Sequence, residues 1–514
     1  MLWLRKNSVL IFLIILVALC IPAVTALFHA GFFLTDDGNW MIIRLSAFYE
    51  ALRNGQVPPR FLLQLNHGYG YPVADFLYPL FMYIGIPIHI LGLTFADSIK
   101  TILGGSIILS GIFTLFWLKK LVKIESALVG AFLYVFAPYH LWDVYHRGSV
   151  GEVLAIGVVP FILWQIERKN ILWVAVGIAL LILAHNSLAV LFLPFIIGYI
   201  VIRKSFSWKY LVGIVAYALS LSAFFWIPAL YDKQFTIFDK TPVSLISDYF
   251  LTYNTSLLVG WIGVLTIVLT FPLLLKKLPT PLKYFWLVAM MTLFLTLPIS
   301  SWVWSISHIA PYFQFPYRFL SLTILVFAGL AAFCVDILPK KIHILGIILF
   351  VAVGYLSSWS LLTPLVYQNY PDTFYSTNQD STTVHNEYTP IWVKSQPTSS
   401  PENQVELIKG NGTILDTVAK GNKVIFNTIL TTPSLVQINV VYFPGWNVFV
   451  DGKKTDFSYD NTYGVMQVGI LSGQHTVQAV FSETPVRIFA DVVTVVSILL
   501  LPIFYRKLKK YETA

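Results

Sequence analysis

The sequence is short of charge and of cysteine, and both shortages exclude classes of protein. Only 11% of its 514 residues are Asp, Glu, Lys or Arg, while 57% are hydrophobic. Soluble domains carry about 25% charged residues, so this composition indicates a polytopic membrane protein. The two cysteines, Cys20 and Cys334, both lie in apolar runs, which excludes a disulfide framework and a cysteine metal site. The net charge of +9 comes from short basic clusters between apolar runs, a pattern that does not favour nucleic acid as a partner.

Familiar catalytic motifs are also missing from the sequence. It contains no Walker loop, no dinucleotide fingerprint, no zinc-ligand spacing and no G-x-S-x-G elbow. Candidate functional residues must therefore be identified as groups of charged and polar residues on the same side of the membrane.

The basic clusters predict the topology, because cytoplasmic loops carry an excess of Lys and Arg. The seven clusters are Arg5-Lys6, Lys119-Lys120 with Lys123, Arg168-Lys169, Arg203-Lys204 with Lys209, Lys276-Lys277 with Lys283, Lys340-Lys341, and Arg506-Lys507 with Lys509-Lys510. Placing all of them inside predicts twelve spanning helices near 8–28, 98–118, 126–141, 152–167, 171–184, 187–202, 209–230, 257–275, 283–298, 318–338, 343–361 and 486–505. Both termini are then cytoplasmic.

One apolar stretch, 76–93, does not fit this pattern. If it crossed the membrane, every later basic cluster would lie on the outer side instead of the cytoplasmic side. It is also interrupted by Pro79, Gly85 and Pro87. We therefore interpret it as a juxtamembrane or re-entrant helix on the outer face, which is tolerable where it packs against protein.

The predicted fold is an α-helical polytopic membrane protein with a small extracytoplasmic all-β domain. Residues 1–362 form the transmembrane domain with a long first outer loop, 29–97, and residues 486–514 form a last helix with a basic tail. Between them, 363–485 reads as a β-sandwich-like domain, since 435–442, 446–450, 465–470 and 475–481 have the pattern of short strands. Asp451-Gly452 is a hairpin signal.

The first outer loop carries two adjacent acids, Asp36 and Asp37, just before an amphipathic run from Met41 to Leu52 that ends at Asn54-Gly55. One interpretation is that an acid only caps this helix. The others are that the pair supplies a general base for an acceptor hydroxyl, or holds a divalent metal such as Mg or Mn through oxygen ligands. Acids beside a bilayer are disfavoured unless they are used, which favours a functional role.

Further candidates lie in other loops on the same predicted side. Asp143, Arg147 and Glu152 could bind a phosphate and assist its departure, or merely anchor the loop at the interface. Arg318 could bind a lipid phosphate, or it could lay its aliphatic part along apolar groups and extend its charged end to the membrane surface. The remaining candidates are Tyr71, which could stack on a sugar or join an aromatic belt, and His185, which could touch substrate or be a structural hydrogen-bonded residue.

Several runs resemble the YfhO-like bacterial membrane proteins. They are TDDGNWMIIRLSAFYEALRNGQVPPR, GYGYPVADFLYPL, HRGSVGEVLAIGVVPFILW, AHNSLAVLFLPFI, FPYRFL and VYFPGWNVFVDGKK, in the right order over nearly the whole chain. Part of this group is labelled a 6-pyruvoyl-tetrahydropterin-synthase-related membrane domain, but no three-histidine zinc site can be assembled here.

This resemblance implies the GT-C superfamily, integral-membrane glycosyltransferases that take a sugar from a polyprenyl-phosphate donor at the outer face. It also implies that an acid of the first outer loop, matched by Asp36 or Asp37, is catalytic or metal-binding. The acceptor would be a cell-surface polymer or glycan, such as a teichoic acid. Two alternatives remain: a lipid-linked-sugar transporter or flippase, and a non-catalytic protein of cell-envelope assembly. A transporter would place ionisable groups near the bilayer midplane, whereas here they gather at one face.

Overall fold

A computed structural model describes residues 8–241, 246–252, 255–272, 279–307 and 309–512. The basic residues Arg5, Lys6, Lys276 and Lys277 lie outside the described residues. The helices are α1 Ser8–Val24, α2 Gly38–Arg53, α3 Val73–Phe76, α4 Leu80–Ile90, α5 Phe95–Leu118, α6 Ile124–Val135, α7 Pro138–Trp142, α8 Val150–Glu167, α9 Ile171–Ala184, α10 Asn186–Arg203, α11 Trp208–Leu221, α12 Ala223–Asp232, α13 Gly260–Thr270, α14 Thr280–Thr296, α15 Ser301–Ser307, α16 Ala310–Phe313, α17 Leu320–Asp336, α18 Lys340–Ser358, α19 Asp372–Ser376 and α20 Pro485–Glu512.

Among the described residues, eight helical segments are long and apolar enough to cross a membrane, and the number rises to ten if each of two bent helix pairs counts as one span. A spanning helix needs about 20 apolar residues. Shorter apolar helices are also present at α4, α9 and α13. The chain is therefore a multi-pass membrane protein, and helices lie at all twelve predicted positions, although α9 and α13 are short.

A sharp bend occurs within one predicted span and at the end of another. The span predicted at 209–230 breaks between α11 and α12 with an angle of 74°. The span predicted at 283–298 is matched by α14, and the chain turns by 87° after the end of that helix. α4 has 11 residues, or roughly 16 Å of helix at 1.5 Å per residue, so alone it is too short for the hydrocarbon core.

Pairs of oppositely charged side chains lie at both ends of the helical bundle. At one end Arg203 pairs with Glu167 at 2.7 Å, and Lys123 lies 4.0 Å from Asp336. At the other end Arg318 pairs with Glu152 at 2.7 Å. Because α8 and α17 each run from the second end to the first, the described basic clusters near 123, 168 and 203 lie opposite this second pair.

The strands are β1 Phe32–Phe33, β2 Tyr367–Gln368, β3 Val405–Lys409, β4 Gly412–Lys420, β5 Lys423–Leu430, β6 Ser434–Val441, β7 Trp446–Val450, β8 Lys453–Thr455, β9 Phe457–Ser458, β10 Val465–Ile470 and β11 Gly473–Phe481. Nine of them form two antiparallel sheets, ordered β3-β6-β10-β9 and β4-β5-β11-β7-β8. Alternate residues point into the shared core, as Val424 and Phe426 do in β5.

The four predicted strands are confirmed as β6, β7, β10 and β11. The predicted hairpin is confirmed as well, since Val450 pairs with Lys453 across Asp451 and Gly452, whose φ angles are 48° and 78°. Two positive φ angles are the mark of a type I′ turn. The strands β1, β2, β3, β4, β5, β8 and β9 were not predicted.

The first loop packs against the β domain and against the segment that leads into it, residues 363–404, called here the bridging segment. β1 pairs with β2 through Phe32 and Gln368. Phe61 lies in the β-domain core, 5.5 Å from the ring of Trp446 and 5.4 Å from that of Phe481. The loop therefore links the helices to the β domain.

A group of four buried charges fixes the last helix in place. We call Arg60, Asp75, Asp232 and Arg487 the anchoring cluster. Arg487 lies 2.8 Å from Asp232 and 3.6 Å from Asp75, and Arg60 lies 3.3 Å from Asp75. The side chains of Asp75, Asp232 and Arg487 are 0% exposed. The first loop, α12 and α20 therefore meet in one ionic contact.

Candidate functional site

The turn that carries Asp36 and Asp37 is held by backbone hydrogen bonds to a neighbouring loop. The Asp36 amide donates to the carbonyl of His146 at 3.1 Å, and the Asp37 amide donates to the carbonyl of Arg147 at 2.8 Å. The accepting residues end a π-helical turn, Asp143–Arg147. π-Helical turns are rare in proteins, but those that occur are often found at functional sites.

Gly148 allows this close approach. Its φ is +67°, and a Cβ atom there would lie 2.5 Å from Oγ1 of Thr35 and 3.0 Å from the amide nitrogen of Gly38. Any larger residue would push the acid-bearing turn away from the π-helical turn. The geometry of the two acids therefore depends on a glycine outside their own loop.

Neither acid caps the helix that follows it. The Gly38 amide donates to Oγ1 of Thr35 at 3.0 Å. Asp37 occupies the N-cap position of α2 without a side-chain cap hydrogen bond, and none from Asp36 occurs within the described chain. The capping interpretation is therefore not supported, and both carboxylates face other groups.

Arg147 connects three acids from three parts of the chain. Its Nη1 lies 3.0 Å from Oδ1 of Asp143 and 2.5 Å from Oε1 of Glu152. Its Nη2 lies 3.5 Å from Oδ2 of Asp37. We call Asp36, Asp37, Asp143, Arg147, Glu152 and Arg318 the acid–arginine site. The structure thus brings together six residues that were candidates from the sequence and that lie in three different loops.

Glu152 is the second centre of the acid–arginine site. Its Oε1 accepts from Nε of Arg318 at 2.8 Å and from Arg147, while its Oε2 accepts from the hydroxyl of Tyr139 at 3.2 Å. Nη1 of Arg318 donates to the carbonyl of Phe313 at 2.8 Å. Arg318 is thus engaged on both sides of its guanidinium, which indicates that it orients Glu152.

Exposure rises steadily from the floor of the acid–arginine site to its edge. Asp143 and Glu152 are 0% exposed, the Asp37 side chain is 26% exposed and that of Asp36 is 62% exposed. Burial raises the pKa of Asp36, the charge of His146 lowers it, and Asp37 raises it again, so that the pKa lies above its usual range. Asp36 is therefore the acid that a molecule from solution reaches first.

Two other predicted residues lie in different surroundings. His185 is buried 3.8 Å from Glu152, and its Nδ1 accepts from the Leu188 amide at the start of α10. Burial and the nearby Arg318 lower the pKa of His185 to about 3, so it is neutral. Tyr71 is fully buried, and its hydroxyl accepts from the Tyr388 amide at 2.9 Å, so the structure does not bring it to the acid–arginine site.

Aromatic rings form one wall of the site, and this wall was not predicted from the sequence. The guanidinium of Arg147 lies 5.6 Å from the ring of Phe315 and 5.5 Å from the ring of Tyr317. These rings cover a buried cation from one side. The run FQFPYR next to Arg318 was the available signal, since both aromatics flank its proline.

A metal would have only two acids to bind at the edge of the site. No group of three or more His, Cys, Asp or Glu side chains able to hold a metal occurs in the described ranges. Mg²⁺ keeps several waters and is usually held by one or two carboxylates plus substrate phosphate. Asp36 and Asp37 fit that pattern, although Asp37 also faces Arg147 at 3.5 Å.

Comparison with known sequences yields one distant relative. No family model matches the chain. An uncharacterized protein of Lactococcus lactis subsp. cremoris (strain MG1363) is 26% identical over 251 residues, which are 45% of this chain. The match spans 40% of the length of that relative.

Similar solved structures include membrane glycosyltransferases. The mycobacterial arabinofuranosyltransferase AftD is 14% identical, with 71% of this chain and 28% of that chain covered and a TM-score of 0.48. ArnT from Cupriavidus metallidurans bound to undecaprenyl phosphate is 15% identical, with 72% and 68% covered and a TM-score of 0.42. The Archaeoglobus fulgidus oligosaccharyltransferase tethered with an acceptor peptide is 13% identical, with 76% and 61% covered and a TM-score of 0.43. None of these names bears on the YfhO-like resemblance.

Proposed function

We propose that the chain transfers a sugar from a polyprenyl-phosphate-linked donor to a cell-surface acceptor, at the extracytoplasmic face of the membrane. The observation that carries this proposal is the acid–arginine site. Two carboxylates at the open edge, Asp36 and Asp37, adjoin a buried arginine that already holds two more acids. A base and a cation side by side are what such a transfer needs.

In the proposed reaction Asp36 takes the proton of the acceptor hydroxyl, because it is the more exposed acid and burial raises its pKa. The hydroxyl oxygen attacks the anomeric carbon as the bond from that carbon to the phosphate oxygen breaks, which inverts the configuration. The electron pair leaves with the polyprenyl phosphate. Arg147, whose Nη2 faces the open edge, stabilises the departing phosphate, while Arg318 holds Glu152 in place.

In the alternative to a base at Asp36, Asp36 and Asp37 would together hold a divalent cation, Mg²⁺ or Mn²⁺. Bound there, it would supply positive charge to the leaving phosphate. Arg147 would continue to hold Asp143 and Glu152 at the floor of the site.

The position of the buried charges favours surface chemistry over transport. Glu152 lies in the first turn of α8, Arg318 lies just before α17, and Arg487 lies in the first turn of α20. A transporter would need such groups midway along its helices. We propose that this end of the bundle is extracytoplasmic and that both termini are cytoplasmic, because the described basic clusters lie at the opposite end.

Topology can be tested by cysteine labelling in intact cells. Asn411→Cys should react with a membrane-impermeant thiol reagent and Lys204→Cys should not, since both positions are exposed and lie on opposite predicted sides. Labelling at position 204 with protection at 411 would invert the topology and remove the basis for an external site.

The reaction can be tested by mass spectrometry of cell-surface glycans in cells that lack the protein or express single variants. Asp36→Asn should lower transfer by about 10²–10⁴-fold, and Asp37→Asn should lower it less. Asp97→Asn is the matched control, because Asp97 is 44% exposed in the same loop and pairs with Lys100. If Asp36→Asn and Asp37→Asn both transfer sugar like the wild type, the acids are not catalytic and the proposal is wrong.

A further inference from the structure

A polar pocket of about 610 Å³ opens where the first loop meets the bridging segment. It is lined by Asn66, His67, Thr377, Asn378, Gln379, Asp380, Ser381, Thr383, Val384 and Asn386. Two hydrogen bonds join its walls. The His67 amide donates to the carbonyl of Gln379 at 2.8 Å, and Nε2 of Gln64 donates to the carbonyl of Asn378 at 2.7 Å.

The lining of the pocket excludes most ligand classes. Among the described residues that line it, Asp380 is the one acid and none is Lys or Arg, so an anion such as phosphate would be repelled. Oδ1 of Asp380 accepts from the Thr382 amide at 2.9 Å and Oδ2 accepts from Nε1 of Trp40 at 3.3 Å, which leaves little to hold a cation. The apolar lining is a single side chain, Val384. Of these classes of ligand, a neutral polar molecule is the one that fits the pocket.

Several lining side chains have hydrogen-bond donors that the protein does not use. Asn386 accepts from Ser381 through Oδ1, and Gln379 accepts from Ser400 through Oε1. Among the described residues, the amide nitrogens of these two side chains and the ring nitrogens of His67 have no hydrogen-bond partner. Their acceptor atoms are fixed, so the donors are held in defined directions.

The backbone around the pocket is strained. Asn66, His67, Thr382 and Asn386 have φ angles of 57°, 58°, 62° and 49°. Asparagine and histidine adopt a positive φ more readily than most residues, but this conformation is unfavourable for the β-branched Thr382. Strain of this kind persists at ligand clamps and similar sites, where the surrounding structure imposes it.

The pocket is connected to the acid–arginine site through α2. Trp40, which holds Asp380, lies four residues after Asp36 in the chain and in the first turn of that helix. Asn39 in the same turn donates to Oε1 of Gln368 in the bridging segment at 3.2 Å. Asp380 therefore links the lining of the pocket to the first turn of the helix that follows the acids.

We propose that this pocket binds an uncharged, hydroxyl-rich part of the acceptor, a carbohydrate, and thereby presents a hydroxyl group to Asp36. This inference rests on the proposed glycosyl transfer. Amides, hydroxyls and a histidine match the alternating donors and acceptors of a sugar. An extended peptide would need apolar side-chain pockets as well, and the lining offers only Val384.

Binding can be tested on the full chain in lipid nanodiscs by saturation-transfer NMR with three uncharged trisaccharides: maltotriose, galactotriose and chitotriose. Val384→Trp adds bulk inside the pocket, and since Val384 is 69% exposed the fold should tolerate it. Leu471→Trp is the matched control at a turn of the β domain that is 73% exposed. We expect at least one trisaccharide to bind, Val384→Trp to weaken this binding at least tenfold, and Leu471→Trp to leave it unchanged.

Binding of none of the three, or equal binding by Val384→Trp and the wild type, would overturn the pocket assignment. So would binding of a peptide of Gly and Ser in place of the sugars. In transfer assays Val384→Trp should raise KM for the acceptor at least tenfold with kcat unchanged, whereas Asp36→Asn should lower kcat. If Val384→Trp loses sugar binding while Asp36→Asn transfers normally, the pocket stands and the proposed reaction fails.

Discussion

The acid–arginine site and the anchoring cluster are built from the same parts but differ in access. Each contains two arginines that share buried acids, and each lies where the first loop meets helix ends. In the anchoring cluster Asp75, Asp232 and Arg487 are 0% exposed, and even the outermost partners of Arg60, Glu483 and Asp491, are only 22% and 24% exposed. The acid–arginine site instead opens through Asp37 to Asp36, which is 62% exposed.

This difference separates a structural role from a chemical one. In a buried cluster the pairing of the charges offsets the cost of their desolvation, and the pairs hold three chain segments together. A substitution in such a cluster is therefore expected to weaken the fold. A carboxylate at the edge keeps the freedom to gain or lose a proton. Chemistry is therefore expected at Asp36, while the fold depends on Arg487.

The largest effect should follow from breaking the closed cluster. Arg487→Met leaves Asp232 without its cation and Asp75 with Arg60 alone, and removal of one partner of a buried pair costs about 3–5 kcal/mol. The thermal unfolding midpoint and the folded yield of the full chain should fall sharply. Arg203→Met is the matched control, because Arg203 is 31% exposed in its pair with Glu167.

Adding Asp232→Asn to Arg487→Met should recover part of the loss, since one unpaired charge is then removed as well. If Arg487→Met is as stable as the wild type, the anchoring cluster does not hold the last helix and the contrast between the two clusters fails.

The next largest effect should come from moving the acids without removing them. Gly148→Ala places a Cβ 2.5 Å from Thr35, so the turn with Asp36 must shift. A misplacement near 1 Å can cost about 10²-fold in rate. Gly452→Ala has a similar positive φ with nothing within 4 Å, so it carries the backbone cost alone and should leave transfer unchanged. Equal transfer by both variants would show that the docking of the turn does not matter.

Local patterns made much of the fold predictable. The basic clusters and apolar lengths located helices at every predicted span, and the turn pair Asp451-Gly452 located the hairpin. The bend between α11 and α12 was not predictable, because Ser222 there is no proline or glycine and the break depends on packing. The strand β4 has mostly exposed residues and a register shift, so it lacks the alternation that identifies a strand.

The candidate site was predictable as a set of residues but not as a geometry. That Arg147, Glu152 and Arg318 share one face followed from the topology, and the sequence correctly grouped them with the acids of the first loop. That Arg318 contacts Glu152 across 166 positions, and that Tyr71 lies elsewhere, depended on tertiary packing. The anchoring cluster was missed because its members Arg60, Asp75, Asp232 and Arg487 lie far apart in the sequence and meet only through tertiary packing.

A smaller effect is expected from pH, and it distinguishes the open site from the closed one. As a base Asp36 must be ionised, so transfer should fall up to about tenfold per unit as pH drops through its pKa, which burial raises above the usual 3.9. A raised carboxyl pKa means that folding favours the protonated form, so the ionised group costs stability once pH rises through the folded pKa. Asp36→Asn should therefore lose the acidic limb of the rate profile without loss of thermal stability at neutral pH. If the residual transfer activity of Asp36→Asn still fell at acidic pH as in the wild type, the group that titrates would be a residue other than Asp36.

The smallest effect should come from the exposed partner of Asp36. Nδ1 of His146 lies 3.8 Å from Oδ2 of Asp36, and both side chains are more than 60% exposed. Such surface pairs contribute about 0–1 kcal/mol. The contact that positions Asp36 is the backbone carbonyl of His146, which His146→Gln keeps. Transfer should therefore stay within about threefold of the wild type, the unfolding midpoint should barely move, and any small change should shrink in high salt because exposed charges are screened. A loss of transfer near 10²-fold in His146→Gln, with Asp36→Asn still active, would make the histidine the base and Asp36 its partner.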